Sequence, residues 1–177
     1  MDSHRTTTVH NVNFGGLFGL ICLVFSISMV VYVASYASNG WRIGSYDYEL
    51  LKGTYQEGLW QWCVCSRDFD NVPGRIQKDM GFHRTVQAMT TIGLITLFAS
   101  SACLCVYAFI HTFDKRLVLL ALIILLGVSC LFIFIGFVVY GAKIKTGLHF
   151  SYGLVIISFF GLLVSAALAF LQYLKSG

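Results

Sequence analysis

The chain has 177 residues, of which 57% are hydrophobic and 11% charged, and its formal net charge is +4. Soluble domains carry about a quarter of their residues as charge, so this composition excludes a water-soluble globular protein. It also excludes a disordered chain and a protein that binds nucleic acid on an extended basic face, because the positive charge is small and scattered.

Four stretches of the chain contain no Asp, Glu, Lys or Arg. Each is about 25 residues long, and at about 1.5 Å per residue a helix of that length exceeds the roughly 30 Å hydrocarbon core of a bilayer. We therefore predict one domain over residues 1–177 with four transmembrane helices, joined by a long loop over 38–85 and a short one over 143–149. The predicted spans are 14–37, 86–110, 117–142 and 150–174.

The first span has a second interpretation as a secretory signal. Residues 34–38 read Ala-Ser-Tyr-Ala-Ser, which resembles a cleavage site. The apolar region of a signal peptide is shorter, at about 7 to 15 residues, and its arm is more basic. We therefore expect the first span to remain in the protein as a transmembrane helix.

Lysine and arginine are unevenly divided between the two sides of this topology. Eight lie in the two loops and four on the side of the termini, so a literal positive-inside count places the long loop in the cytoplasm. However, six acidic residues of the long loop match its six cations, whereas Lys115 and Arg116 form a compact pair in a tight turn. We therefore expect a multi-pass protein with both termini in the cytoplasm and the long loop outside.

The long loop contains all three tryptophans, Trp41, Trp60 and Trp62. Its aromatic and β-branched residues predict two strands, at 41–48 and 59–65, with a turn at 52–54. Residues 70–74 should break the chain, and 75–82 should form a short helix leading into the second span. We expect a small antiparallel sheet whose tryptophans lie at the lipid headgroups; the alternative is that they form the core of a small domain.

Trp41, followed by Gly58-Leu59-Trp60 and Cys63, resembles the W…GLW…C…C signature of the claudin and peripheral myelin protein superfamily. This group of four-span membrane proteins also includes epithelial membrane proteins and the γ subunits of calcium channels. Further matches are Arg84 at the head of the second span, Asn-Gly-Trp-Arg at 39–42 and Phe-Ser-Tyr-Gly at 150–153. The resemblance covers essentially the whole chain, including the order and lengths of the loops.

The resemblance implies an all-α membrane protein: a left-handed four-helix bundle that carries a small extracellular antiparallel β-sheet, with the two loop cysteines bonded to each other. Here those cysteines are Cys63 and Cys65, separated by one residue instead of several. On a strand their Cα atoms would lie about 6.5 Å apart, at the upper edge of disulfide geometry. Free thiols, a bond between protomers and a metal-binding pair stay open as alternatives.

Small residues recur at helical spacing on two of the spans. Gly15 and Gly19 lie on the first span, and Gly161, Ser165 and Ala169 continue such a stripe on the fourth. In lipid, helices associate closely where their side chains are small. We expect these residues to pack helices within the bundle; a lateral contact with another subunit is the alternative.

The spans contain no charged side chain that would form a proton relay or an ion pathway through one protomer. The chain also has no phosphate-binding glycine loop, nucleophile motif or cluster of metal ligands. We therefore predict a protein that is not an enzyme and that has no cofactor, metal ion or nucleic-acid partner. We expect the isolated histidines to be solvated; they are His4, His10, His83, His111 and His149.

The resemblance implies a protein of cell–cell contacts in the plasma membrane. It would associate laterally with itself or with related four-span proteins, and its sheet would form or regulate a junctional barrier or adhesion. Arg67, Asp68 and Asp70 are candidates for setting ion preference, unless they are ordinary solvated charges. The alternative is an auxiliary, γ-like subunit that modulates the gating or trafficking of an ion channel.

Two features resemble the peripheral myelin protein branch of this group more than the claudins. The second predicted loop, 143–149, is shorter than the claudin segment that engages the opposing cell. After the last predicted span, the sequence continues only with Lys175-Ser176-Gly177, without the tyrosine-valine terminus that claudins commonly have.

Overall fold

The computed structural model describes residues 16–48, 51–65, 72–75, 81–109, 114–144 and 146–175. Four helices, each long and apolar enough to cross a membrane, coincide with the four predicted spans. The prediction of a mainly helical chain with four helices able to span a membrane is therefore confirmed. In chain order the elements are α1 Gly16–Ala37, β1 Arg42–Tyr48, β2 Leu51–Glu57, β3 Gln61–Cys65, β4 Val72–Arg75, α2 Gly81–Phe109, α3 Lys115–Lys143 and α4 Phe150–Lys175.

The helices extend past the charge-free windows from which the spans were predicted. Helix α2 begins at Gly81 and so includes Arg84, and helix α3 begins at Lys115. Asp114 caps α3, because its carboxylate accepts a hydrogen bond of 3.0 Å from the backbone N–H of Arg116. A charge-free window marks the part of a helix that suits hydrocarbon, whereas the helix itself continues into the polar boundary.

The buried residues of each helix follow one another in alternating steps of three and four, and on α3 Cys130 is buried in addition to this series. This spacing gives a repeat of about 3.5 residues, which keeps one seam of each helix facing its neighbours. The seams combine large apolar residues with serine, threonine and glycine. On α1 they are Phe18, Ile21, Phe25, Ser28, Tyr32 and Ser35, and on α3 they are Leu119, Leu122, Leu126, Ser129, Ile133, Gly136 and Tyr140.

The helices pack in the spatial order α1, α4, α3, α2. Helices α1 and α4 pack closely, as do α2 and α3, whereas α1 and α2 meet over a short stretch. There the hydroxyl of Tyr32 donates to the carbonyl of Thr90 at 2.8 Å. Beyond this contact the two helices leave a lateral groove of about 610 Å³, lined mainly by apolar side chains.

The four strands form one antiparallel sheet in the order β1-β2-β3-β4. In the first pair, Arg42 lies opposite Glu57 and Tyr48 opposite Leu51. The predicted turn at 52–54 was wrong, because these residues lie within β2 and pair with residues 45–47 of β1. A Lys-Gly-Thr sequence permits a turn, but the pairing of β1 along its whole length favours an extended conformation there.

The helix predicted over 75–82 was wrong at its first residue, because Arg75 lies in a strand, whereas residues 81 and 82 are helical and begin α2. Residues 72–75, which the sequence marks as a break, form strand β4, where Val72 pairs with Val64 and Arg75 with Gln61. Pro73 has no N–H to donate, and an edge strand is where a sheet tolerates proline. Residues 76–80 lie outside the described part of the chain.

Candidate functional site

Four residues of the sequence signature meet where the sheet rests on the helix ends; they are Trp41, Gly58, Leu59 and Trp60. Trp41 lies at the centre of this junction and has no exposed surface. Its indole N–H donates to the carbonyl of Ser35, at the end of α1, at 2.8 Å. Its ring meets Tyr140 of α3 edge-on, with the centroids 5.0 Å apart.

The burial of Trp41 corrects its prediction as an anchor at the lipid headgroups. A side chain with no exposed surface touches neither lipid nor water, so Trp41 is a core residue, as the alternative interpretation held. Trp60 differs, because 41% of its surface is exposed and its ring packs edge-on against Tyr36 of α1. The placement of Trp60 at the lipid boundary stays a prediction.

Gly58 and Leu59 join the sheet to helices α1 and α2. A Cβ atom at Gly58 would lie 2.5 Å from the carbonyl oxygen of Ser38 and 2.6 Å from Cα of Asn39, so a side chain there would collide with backbone. Leu59 is fully buried, and its carbonyl accepts a hydrogen bond of 2.7 Å from the Gln87 side chain. These contacts give a physical reason for Gly-Leu at this point of the chain.

His83 is buried at the same junction, so the expectation that it is solvated was wrong. Its Nε2 atom lies 2.9 Å from the carbonyl of Leu59, and only 4% of the residue is exposed. The ring also lies beside Tyr140, at 6.4 Å between centroids. Spacing along one helix turn relates His83 to Gln87, but the sequence does not show that both face the carbonyl of Leu59.

The two outlying motifs of the resemblance, at 39–42 and 150–153, also meet here. The backbone N–H of Ser151 donates to the carbonyl of Gly40 at 3.0 Å, and the hydroxyl of Ser35 donates to the carbonyl of Ser151 at 2.6 Å. A Cβ atom at Gly40 would collide with the ring of Phe150. The two motifs are therefore complementary surfaces of one contact between the first loop and α4.

The second loop pairs with β1, which the sequence did not reveal. The N–H of Ile43 donates to the carbonyl of Gly147 at 2.8 Å, and Leu148 forms a bridge with Arg42. Gly147 has a φ of +80°, a conformation that favours glycine. The backbone of this loop therefore lies against the β1 edge of the sheet.

Arg42 and Glu57 form an ion pair on the face of the sheet that meets the bundle. Their closest side-chain atoms are 3.5 Å apart, and the guanidinium of Arg42 also lies over the ring of Tyr55 at 5.8 Å. Both charged side chains are partly exposed. Trp41, which precedes Arg42 in the chain, packs against Tyr140 of α3.

The small residues predicted to pack helices lie mainly on the inner side of the bundle. Ser165 and Ala169 are fully buried. Gly161 faces α1, since a Cβ atom there would collide with the hydroxyl of Ser28. This geometry supports packing within the chain for the stripe on α4. Gly19 is half-buried on α1, and Gly15 lies outside the described residues.

Several predicted site residues cannot be placed at this junction. Arg84 lies in the first turns of α2 and its side chain is exposed. Cys63 lies on β3, but the side chain of Cys65 is outside the described part of the structure, so the disulfide stays a prediction. The candidates for ion preference also lie outside the described residues; they are Arg67, Asp68 and Asp70.

The junction offers hydrogen bonds, aromatic contacts and one ion pair, and these contacts suit a fixed attachment between the sheet and the helices. Within the described ranges, no three His, Cys, Asp or Glu side chains are grouped so that they could hold a metal ion. No family model and no curated protein matches the chain.

Proposed function

We propose that this chain is a non-enzymatic membrane protein of cell–cell contacts, similar to the claudins, that forms or regulates a junctional barrier. The observation that carries this proposal is the convergence of Trp41, Gly58 and Leu59 at the junction of sheet and helices. They contribute an indole hydrogen bond, a close backbone approach and a buried apolar side chain, respectively. Together they hold the sheet rigidly on a bundle whose outer surface suits lipid.

The proposed architecture is a left-handed bundle in the plasma membrane, with the sheet outside the cell and both termini in the cytoplasm. The alternating spacing of buried residues supports the handedness, because a repeat of about 3.5 residues is the one found in left-handed helix packing. The Lys115–Arg116 pair, at the start of α3, supports the orientation, since it stands at the end of the bundle opposite the sheet.

We propose that copies associate side by side through their sheets. The second loop covers the β1 edge, whereas none of the described strands pairs with the outer edge of β4. An edge strand presents N–H and C=O groups that can pair with another chain. The predicted ion-preference residues, Arg67, Asp68 and Asp70, lie in the sequence between β3 and β4.

Freeze-fracture imaging of non-adherent cells that express the protein, alone and in contacting pairs, tests this function. Continuous strands at the contacts are the expected result, because laterally associated sheets would order the bundles in rows. Dispersed particles, with the protein spread evenly over the plasma membrane, would contradict a polymerising junctional role.

Trp60→Ala removes the exposed ring of Trp60. If that ring is a lipid anchor, this variant should reach the cell surface less efficiently than the wild type.

The groove between α1 and α2 favours a second candidate, an auxiliary subunit of an ion channel. A volume of about 610 Å³ with mainly apolar walls would accept a helix of another membrane protein. In this role the sheet would touch the extracellular part of the channel. Co-purification of a large channel together with an even distribution in the membrane would support this candidate over the junctional one.

A further inference from the structure

Two polar atoms are buried beneath the sheet without a hydrogen-bond partner among the described residues. They are the hydroxyl oxygen of Tyr140, at the end of α3, and Nε of Arg42, on β1. Tyr140 has no exposed surface, and Trp41 and Tyr152 hold its ring at 5.0 and 6.0 Å between centroids. A buried polar atom left unpaired costs free energy comparable to a lost hydrogen bond, so we expect each of these atoms to have a hydrogen-bond partner.

Two of the neighbouring polar side chains already have other partners. The hydroxyl of Tyr152 donates to the carbonyl of Phe137 at 3.1 Å, and the indole N–H of Trp41 donates to Ser35. Nη1 of Arg42 faces Glu57, whose carboxylate has acceptor capacity left because the ion pair joins only one oxygen at 3.5 Å. Arg42 pairs with Glu57 across β1 and β2, and it follows Trp41, whose ring lies 5.0 Å from that of Tyr140.

We infer that Arg42, Glu57 and Tyr140 bind one buried water molecule that links the sheet to the bundle. The water would accept a hydrogen bond from Nε of Arg42 and from the hydroxyl of Tyr140, and it would donate to the carboxylate of Glu57. Buried waters have two to four such partners. A small anion fits less well, because the Glu57 carboxylate repels it and offers it no donor.

The bound water would give the junction a polar connection in addition to its aromatic contacts. It joins three elements, since Arg42 lies on β1, Glu57 on β2 and Tyr140 on α3. A bridge between three elements restricts the angle of the sheet more than a contact between two of them. This inference is independent of the proposed role in cell contacts.

A double-mutant cycle on the full chain in detergent tests the inference. We expect Tyr140→Phe and Arg42→Lys each to lower the melting temperature by about 2–4 °C, the shift that corresponds to one lost hydrogen bond in a chain of this size. The melting temperature of the double variant should be close to that of the less stable single variant, because either change already removes the bridge. A rise in melting temperature for Tyr140→Phe would overturn the inference, since it would show a dry, unpaired hydroxyl. Strict additivity would also overturn it.

The control is Tyr152→Phe, which removes a hydroxyl that is bonded directly to the protein. This change should lower the melting temperature and add to the effect of Arg42→Lys.

Replacing chloride by gluconate should leave the melting temperature of the wild type unchanged; a lower melting temperature would indicate a bound anion instead of water. A high-resolution density map should show a feature between Arg42, Glu57 and Tyr140, and a direct bond between Arg42 and Tyr140 would contradict the water.

Discussion

Gly58 shows how one missing side chain controls the approach of the sheet to the bundle. Its φ is not in the left-handed region, so the requirement for glycine comes from space alone. A Cβ atom would meet the backbone of Ser38 and Asn39 at 2.5 and 2.6 Å, and backbone moves less easily than a side chain. The turn that leads from α1 into the sheet therefore lies directly against the turn that precedes β3.

We expect Gly58→Ala to lower the free energy of unfolding by about 1–3 kcal/mol, because overpacking at this contact forces the two turns apart. Thermal unfolding of the purified protein in detergent measures the change. Gly127→Ala on α3 is the matched control, since a Cβ atom there meets nothing within 4 Å. Equal effects of the two substitutions would contradict the steric explanation.

Trp41 and Trp60 should respond differently to truncation. Trp41→Ala leaves a cavity at a fully buried site and should cost about 3–5 kcal/mol of stability. Trp60→Ala removes a half-exposed ring and its contact with Tyr36, so it should cost about 0.5–1.5 kcal/mol. Thermal unfolding measures both losses, and surface biotinylation measures delivery to the plasma membrane. A loss for Trp60→Ala as large as that for Trp41→Ala would show that both are core residues.

Among the predicted small residues, Gly161 on α4 lies in close contact with Ser28 on α1. A Cβ atom at Gly161 would collide with the Ser28 hydroxyl and lie 3.1 Å from its Cβ atom. In lipid, such proximity supplies dispersion contacts that the hydrophobic effect cannot provide. Van der Waals contacts at this close approach therefore contribute to holding α1 and α4 together.

We expect Gly161→Ala to destabilise the protein by about 1–3 kcal/mol and Ser28→Ala in the same chain to restore part of the loss, because the two residues share one contact. Thermal unfolding of the single and double variants gives the coupling. Gly153→Ala on the same helix is the control, as nothing lies within 4 Å of its added Cβ atom. An unchanged stability combined with weaker self-association would instead indicate a lateral contact between subunits.

The strands illustrate how tertiary pairing overrides local sequence preference. Residues 52–54 favour a turn by composition, yet they continue β2 because β1 pairs with them throughout. Pro73 argues against a central strand, and it is found in β4 at the edge of the sheet. Short stretches of loop sequence are compatible with several conformations, and the neighbouring strand selects one of them.

For the protein as a whole, the side of the membrane that the sheet occupies is the property on which the proposed role depends. Accessible cysteines introduced at the two ends of the bundle test it, in a chain in which Cys63 and Cys65 are replaced by serine. We expect a membrane-impermeant maleimide to label Ser45→Cys, on β1, in intact cells. It should label Lys115→Cys, at the start of α3, only after permeabilisation.

The opposite labelling pattern would place the sheet in the cytoplasm and exclude a role at cell contacts. It would also agree with the literal positive-inside count, which places the long loop in the cytoplasm because eight of the twelve Lys and Arg lie in the loops. Labelling of both positions in intact cells would indicate leaky cells, so an abundant cytosolic protein serves as the control for membrane integrity.

The four helices and their approximate limits follow from the sequence, because a stretch free of charge and long enough to cross the hydrocarbon core has few other stable conformations. The sheet follows in outline for a weaker reason, the aromatic and β-branched residues of its strands. The burial of Trp41 and His83, the hydrogen bonds to the carbonyl of Leu59 and the pairing of the second loop with β1 do not follow, since they join residues far apart in the chain. Such contacts depend on how the elements pack against one another. The sequence pattern of one segment does not identify the residues of other segments that contact it.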